Sequence, residues 1–186
     1  NQLFREMARY DTALFLNNDV VVRANPACLM AMMEALDATP KAGIAGLVMF
    51  FGDGTTVQHA GIDFFRGGPL HGLCFHPGSR EKKRPGDFTP LRPVAAVTGA
   101  CLMIRSGLFE GLGGFEEAYA AEAQDVDLCL KARRLGQRTL LLQAGSILHL
   151  ENATRPQGEE NWADRRLFIR RWGSFIDTVF PEALLP

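Results

Sequence analysis

The stretch that decides the fold is residues 13–22, which reads A-L-F-L-N-N-D-V-V-V. Four apolar residues run into Asn17, Asn18 and Asp19, and three valines follow. An apolar run this short predicts a strand that is buried on both faces, as in a parallel sheet. Ligands of open α/β sheets bind at the carboxyl ends of such strands. Asp19 stands at that end, where its carboxylate suits Mg²⁺ or Mn²⁺ shared with substrate phosphates. The alternative is that the three polar residues only form a turn.

Composition narrows the class of protein. The chain has 186 residues, 47% of them hydrophobic and 22% charged, which predicts one ordinary globular domain over residues 1–186. A formal net charge of −1 gives no field that would recruit nucleic acid. The four cysteines follow no zinc or C-x-x-C spacing, which indicates reduced thiols in a cytoplasmic setting. No run reaches the roughly 18 apolar residues that cross a bilayer, and no signal peptide opens the chain.

Two apolar runs with a helix between them predict a right-handed βαβ unit. Asn25 and Pro26 predict the start of this helix, and Thr39-Pro40 its end. Residues 43–51 form the second apolar run and predict a second buried strand. A short amphipathic helix is also predicted over residues 3–8.

Residues 52–93 are rich in glycine and proline and predict a long loop-rich insertion, with a short edge strand over residues 56–62. The basic run 80–84 reads as a solvated loop tip rather than a phosphate or polymer contact. The three histidines of this region match no metal-ligand spacing, so they are expected to form hydrogen bonds; they are His59, His71 and His76.

The core resumes at residues 94–105, a long apolar strand that Thr98 and Gly99 interrupt. A glycine inside a strand indicates a bulge or a close approach by another group. A helix is predicted over residues 126–135. Asp125 and Asp127 fall in its first turn, and helix capping alone would explain both charges. The remaining predictions are a helix over 107–112 capped by Ser106, strands over 138–142 and 147–150, and a final helix over 160–172.

That final helix carries four arginines predicted to face outward, namely Arg165, Arg166, Arg170 and Arg171. A solvated helix face is the first interpretation of this pattern. A contact with a membrane surface or an acceptor is the second.

Six motifs follow one another along the chain with sensible gaps. They are L-F-L-N-N-D (14–19), D-G-T-T-V-Q-H-A-G (53–61), V-T-G-A-C-L-M-I-R (97–105), G-G-F-E-E (113–117), Q-D-V-D-L-C-L (124–130) and H-L-E-N-A-T-R (149–155). Each is weak alone, but in this order they resemble the bacterial family 2 glycosyltransferases of the rhamnosyl and O-antigen type. The resemblance runs from about residue 3 to residue 172.

The resemblance implies a fold and a set of roles. The fold is α/β, the Rossmann-like GT-A fold of nucleotide-diphospho-sugar transferases, with a mixed sheet flanked by helices. The chain matches the acceptor-side portion and is expected to start after the family's nucleotide-binding segment, so it is incomplete at the N-terminus. Asp125 takes the place of the catalytic base, with Gln124 where the family has glutamate. The implied metal ligands are Asp19 and His149, and the implied donor-binding residues are Asn17, Asn18 and Arg155.

The function implied is inverting transfer of a sugar from a nucleotide-diphospho-sugar donor to a glycan or lipid-linked acceptor, assisted by Mg²⁺ or Mn²⁺. The expected location is the bacterial cytoplasm, including peripheral contact with the inner face of the membrane. The open alternative is a non-catalytic remnant that binds a glycan or a partner chain. A phospho-receiver domain is disfavoured because its second acidic cluster and Lys-Pro pair are missing from the sequence. A nucleotidyltransferase would need a glycine-rich phosphate loop at its first strand, outside this chain.

Overall fold

A mixed β-sheet organises the protein. The computed structural model describes residues 9–22, 27–150 and 160–180, and in these residues seven strands form one sheet and two short strands pair separately. The predicted α/β class, with a mixed sheet flanked by helices, is confirmed.

Nine strands and four helices are described within those ranges. The strands are β1 (Thr12–Leu16), β2 (Val20–Val22), β3 (Ala42–Phe50), β4 (Val57–His59), β5 (Asp63–Phe64), β6 (Cys74–Phe75), β7 (Leu91–Val94), β8 (Cys101–Arg105) and β9 (Arg138–His149). The helices are α1 (Ala27–Ala38), α2 (Ser106–Gly111), α3 (Gln124–Arg134) and α4 (Trp162–Val179), and a 3₁₀ turn covers Pro85–Asp87.

The centre of the sheet is the parallel pair of β3 and β9. All nine residues of β3 are buried, as expected for a continuous apolar run with helices on both faces. β8 and β4 pair antiparallel along one side of β3, whereas β7 and β2 pair antiparallel along the outer side of β9. β1 pairs antiparallel with β8. β1, β3 and β9 therefore run in one direction, and their carboxyl ends lie at the same edge.

The stretch 13–22 forms two strands instead of one, and the expected parallel, doubly buried strand is wrong. β1 pairs antiparallel with β8, and only Ala13 among its residues is fully buried. The polar residues 17–19 then redirect the chain, so that β2 pairs antiparallel with the end of β9. An apolar run does not by itself distinguish a strand between two partners from a strand with a single partner, because both carry apolar side chains.

Helices cover the two faces of the sheet, and alternate residues of β3 face two separate cores. Ala45, Leu47 and Met49 belong to the core that α1 closes with Met32 and Leu36. The intervening side chains face the second core, which is closed by α3 and α4; they are Ile44, Val48 and Phe50.

Several predicted boundaries shift. The predicted strand 94–105 is β7 and β8, and Thr98 and Gly99 lie in the turn between them. Ser106 is the first residue of α2 and Arg105 its N-cap, so the predicted cap is wrong by one residue. Strands predicted over 138–142 and 147–150 are one continuous strand, β9.

The helix predicted over 126–135 begins earlier, at Gln124, and the helix predicted over 160–172 continues to Val179. Three sequence predictions lie outside the described residues: the helix over 3–8, the helix start at Asn25 and Pro26, and the phosphate contact Arg155.

Candidate active site

The carboxyl edge of the sheet is closed by a polar turn, Asn17–Asp19. The backbone N–H of Asn17 donates to the carbonyl of Ala100 at 2.9 Å, and the N–H of Leu150 donates to the carbonyl of Asp19 at 3.0 Å. These two bonds attach the start of β8 and the end of β9 to opposite ends of the turn. The side chains of Asn17 and Asn18, predicted to bind the donor, are exposed at this edge.

Asp19 and His149, the two predicted metal ligands, are in direct contact. His149 ends β9 and pairs with Val20 in the β2–β9 register. Its Nε2 lies 3.2 Å from Oδ1 of Asp19, and the two side chains are 11% and 24% exposed. The buried Nδ1 of His149 has no hydrogen-bond partner in the described part of the chain. The imidazole is therefore oriented by its strand and by the Asp19 carboxylate.

The spacing of these two atoms fits neighbouring ligands of an octahedral cation. With ligand bonds of about 2.1 Å, adjacent ligand atoms lie roughly 3 Å apart. Among the described residues no group of three or more His, Cys, Asp or Glu side chains could hold a metal. A cation at Asp19 and His149 would therefore complete its shell with water or phosphate oxygens, as Mg²⁺ commonly does.

Asp125, the predicted base, lies half-buried in the first turn of α3. Its Oδ2 accepts the backbone N–H of Gly99 at 2.7 Å, and its Oδ1 accepts the N–H of Val126 at 2.8 Å. A Cβ at Gly99 would lie 3.4 Å from Cβ of Asp125, so the close approach that the glycine predicted is made by this aspartate. Each carboxylate oxygen keeps a lone pair for another donor.

A short hydrogen-bonded path joins the polar turn to Asp125. Asn17 donates to Ala100, and the residue before Ala100 is Gly99, which donates to Asp125. Asp19 is two residues from Asn17 along the turn. Two acidic residues more than 100 positions apart in sequence are thereby attached to the same edge of the sheet.

Asp127, two residues beyond Asp125 on α3, has a different environment. It is fully buried, and its Oδ1 accepts from Trp172 Nε1 at 2.7 Å, Arg171 Nη1 at 3.2 Å and the hydroxyl of Tyr119 at 3.3 Å. Lys131 Nζ lies 2.9 Å from its Oδ2. Asp127 therefore joins α3 to α4.

The loop that leads into Asp125 is held by α4. The Asp164 carboxylate accepts the backbone N–H groups of Ala120, Ala121 and Glu122 at 3.0, 2.7 and 2.8 Å. Glu122 in turn accepts from Nε of Arg165 at 2.9 Å. This attachment fixes the approach to α3, and the sequence contains no local signal for it because its partners lie about 40 residues apart.

The outward arginine face predicted for α4 is only half correct. Arg165 binds Glu122 and Glu160, and Arg171 binds Glu116 and Asp127. The other two arginines of the set are exposed; they are Arg166 and Arg170. Two of the four side chains therefore attach α4 to the loop before α3 instead of facing solvent.

Two cavities lie away from the polar turn. One, of about 510 Å³, includes Gly61, Arg92 and Arg133 in its wall. Arg133 is near the end of α3 opposite Asp125, eight residues or about 12 Å along the helix. The other cavity, of about 550 Å³, lies around Thr12 and Arg105 at the opposite edge of the sheet.

The fold matches the GT-A fold of glycosyltransferases. A crystal structure of GalNAc-T7 with UDP, GalNAc and Mn²⁺ matches 100% of this chain and 38% of its own length, with a TM-score of 0.60 and 12% sequence identity. The GT-A fold predicted from the motifs is therefore confirmed.

Sequence relatives indicate a more specific group of proteins than the fold does. The chain is 34% identical over 169 residues to the uncharacterized protein y4gI of Sinorhizobium fredii, and 32% identical over 160 residues to the O-antigen biosynthesis protein RfbC of Myxococcus xanthus. It is 28% identical over 150 residues to the N-acetylglucosaminyl-diphospho-decaprenol L-rhamnosyltransferase of Mycobacterium tuberculosis. No protein-family model matches the chain. The predicted resemblance to bacterial glycosyltransferases of the rhamnosyl and O-antigen type is confirmed.

These matches cover most of this chain but less than half of each relative. The alignments include 88%, 83% and 75% of the chain, against 18%, 12% and 47% of y4gI, RfbC and the rhamnosyltransferase.

Within the described ranges, the helices lack the length and hydropathy needed to cross a bilayer.

Proposed function

We propose that the protein carrying this chain transfers a sugar from a nucleotide-diphospho-sugar to a glycan or lipid-linked acceptor. The displacement is assisted by a divalent cation and inverts the anomeric centre, as in family 2 enzymes. The relatives named for O-antigen biosynthesis and rhamnosyl transfer support the class of reaction. We place the reaction in the bacterial cytoplasm, with peripheral contact at the inner face of the membrane when the acceptor is lipid-linked.

Asp125 is the base in this proposal. Its carboxylate takes the proton of an acceptor hydroxyl while that oxygen forms a bond to the anomeric carbon. The bond from the anomeric carbon to the diphosphate oxygen breaks on the opposite face, and its electron pair leaves with the nucleoside diphosphate. The N–H groups of Gly99 and Val126 orient the carboxylate.

In this proposal Asp19 and His149 would hold the divalent cation, beside the exposed Asn17 and Asn18, which would contact the donor. The cation would supply positive charge to neutralise the charge that develops on the departing diphosphate. Arg155 remains a predicted phosphate contact.

The observation that carries the proposal is the path from Asn17 through Ala100 and Gly99 to Asp125. Metal-assisted inverting transfer places a base on the acceptor side and a cation on the diphosphate side of one anomeric carbon. Attachment of Asp19 and Asp125 to one edge of the sheet supports such an arrangement.

The test uses Asp125→Asn in the full-length protein. Asparagine keeps an oxygen that can accept from Gly99 but cannot serve as the base, so transfer is expected to fall about 10³-fold. Binding of the donor should change little. Transfer is measured as the release of nucleoside diphosphate from a panel of UDP- and dTDP-sugars, in the presence of Mn²⁺ and a bacterial lipid extract. Donor binding is measured by calorimetry.

Asp37→Asn is the matched control, because Asp37 is a surface carboxylate on α1 that pairs with Arg105 at the end of β8. Its transfer rate should equal that of the wild type. Retained turnover in Asp125→Asn would remove Asp125 from the role of base. Glycan binding without turnover in the wild type would favour the non-catalytic remnant instead.

A further inference from the structure

His59 is a fully buried histidine behind the candidate active site. It ends β4, where it pairs with Met49 of β3. Its Nδ1 lies 3.0 Å from Nδ1 of His76, and its Nε2 lies 3.5 Å from the backbone N of Thr98. Both ring nitrogens of a buried imidazole need partners, because an unsatisfied buried polar atom costs about 1–3 kcal/mol. Here each nitrogen has one.

These contacts define where the protons lie. The N–H of Thr98 can only donate, so Nε2 of His59 is the acceptor and the ring proton is on Nδ1. That proton is donated to Nδ1 of His76, whose own ring proton is then on Nε2. The pair has one proton between the two facing nitrogens, and the arrangement requires a neutral His59.

The surroundings keep His59 neutral. Burial above all, and then the positive charge of Arg92, hold the pKa of His59 well below its usual value. Arg92 approaches from β7 and donates to the carbonyl of Ala60, next to His59. A neutral imidazole keeps its Nε2 lone pair available to Thr98 across the neutral pH range.

The residue that His59 contacts begins the turn that holds Asp125. Thr98 is followed by Gly99, whose N–H donates to Asp125 at 2.7 Å, and by Ala100, whose carbonyl accepts from Asn17. The Thr98 hydroxyl also accepts from the N–H of Ala100 at 3.3 Å. Successive residues of one turn therefore contact His59, the proposed base and the polar turn.

We propose that His59, oriented by His76, is a positioning residue that aims the Asp125 carboxylate through Thr98 and Gly99. The inference rests on the proposed function, since it assigns His59 a role in the reaction for which Asp125 is the base. His59 touches neither substrate in this account. Its effect is exerted through the backbone turn, whose N–H at Gly99 fixes the direction of the carboxylate.

Removing the acceptor at Nε2 leaves the Thr98 N–H unsatisfied and releases the turn. Gly99 then holds Asp125 less firmly. A displacement of a catalytic group by about 1 Å can lower a rate by up to roughly 100-fold.

Two variants of the full-length protein separate the two nitrogens of His59. In His59→Gln the amide oxygen reaches the region of Nε2 and can still accept from Thr98. In His59→Asn the shorter side chain reaches the region of Nδ1, so it can contact His76 but not Thr98. Both replacements are neutral and polar, which makes them matched in charge.

His59→Asn is expected to lower kcat about tenfold with an unchanged KM for the donor. His59→Gln should restore the rate. Hydrogen exchange, measured by mass spectrometry on peptides covering residues 96–101, should be faster in His59→Asn than in the wild type and in His59→Gln.

The proposal is overturned if His59→Asn keeps the wild-type kcat. It is also overturned if both variants lose rate in proportion to their melting temperatures, because that would indicate a purely structural role. Absence of transfer in the wild type would instead contradict the proposed function. Hydrogen exchange would then still decide whether His59 holds the Thr98–Ala100 turn, and equal exchange in all three proteins would reject it.

Discussion

Two aspartates in the first turn of α3 show how neighbouring residues of one type acquire different roles. Asp125 is half-buried and keeps acceptor capacity toward the edge of the sheet, whereas Asp127 is fully buried among donors from Tyr119, Arg171 and Trp172. A buried carboxylate surrounded by donors stabilises structure, and a partly open one is available for chemistry.

Asp127→Ala is therefore expected to destabilise the protein by about 3–5 kcal/mol, because it leaves the buried donors of α4 without their acceptor. Urea unfolding of the full-length protein, followed by fluorescence of the tryptophans, measures the change. Asp37→Ala is the control, since Asp37 forms an exposed pair with Arg105 and its loss should cost under about 1 kcal/mol. Equal effects of the two substitutions would show that Asp127 is not the joint between α3 and α4.

At this scale the sequence predicted part of the candidate site. The motif resemblance named Asp19 and His149 together, and the structure brings their side chains to 3.2 Å. The resemblance also assigned the role of base to Asp125, whereas the residue pattern alone could not separate Asp125 from Asp127, because helix capping explains both charges equally well. The sequence could not predict the partners of His59 either, since His76 and Thr98 come together only when the chain is folded.

Among the elements, α4 carries more of the site's geometry than its sequence suggests. Its pattern of apolar and basic residues indicates an amphipathic surface helix. In the structure Asp164 accepts three N–H groups of the loop before α3, while Arg165 and Arg171 form ion pairs with the same loop. A helix about 40 residues away in sequence thus holds the loop that leads into Asp125.

Asp164→Asn tests this role of α4. The amide keeps the shape of the side chain but loses one of the two acceptor oxygens, so the loop should be destabilised by about 1–3 kcal/mol. Hydrogen exchange at residues 119–123 should be faster than in the wild type. Asp177→Asn, an exposed position of the same helix that pairs with His71, should leave that exchange unchanged. No difference between the two variants would reject the role assigned to Asp164.

Periodicity predicted most helices and strands within a few residues, but the pairing of strands was less accessible. The nine buried residues of β3 follow directly from its continuous apolar sequence. The same type of pattern in residues 13–22 led to a wrong prediction of a parallel, doubly buried strand. Sequence shows that a segment is apolar, whereas its neighbours in the sheet depend on the path of the whole chain.

For the molecule as a whole, the decisive feature is the direction of three strands. Because β1, β3 and β9 run the same way, the polar turn and His149 lie at one edge of the sheet. Asp125 lies on α3, which covers one face of the sheet, and the turn before β8 binds its carboxylate at this edge. A site assembled in this way depends on long-range topology, so only the resemblance to a known family could indicate it from sequence.

The central claim is that Asp19 and Asp125 serve one pocket. The most direct measurement is a crystal structure of the full-length protein with Mn²⁺ and UDP, in which anomalous diffraction locates the metal. We predict an Mn²⁺ peak in ligand contact with Asp19 and His149, with the diphosphate on the metal and the Asp125 carboxylate facing the same cleft. A metal bound elsewhere, or an Asp125 carboxylate that opens onto a different face of the molecule, would contradict the account.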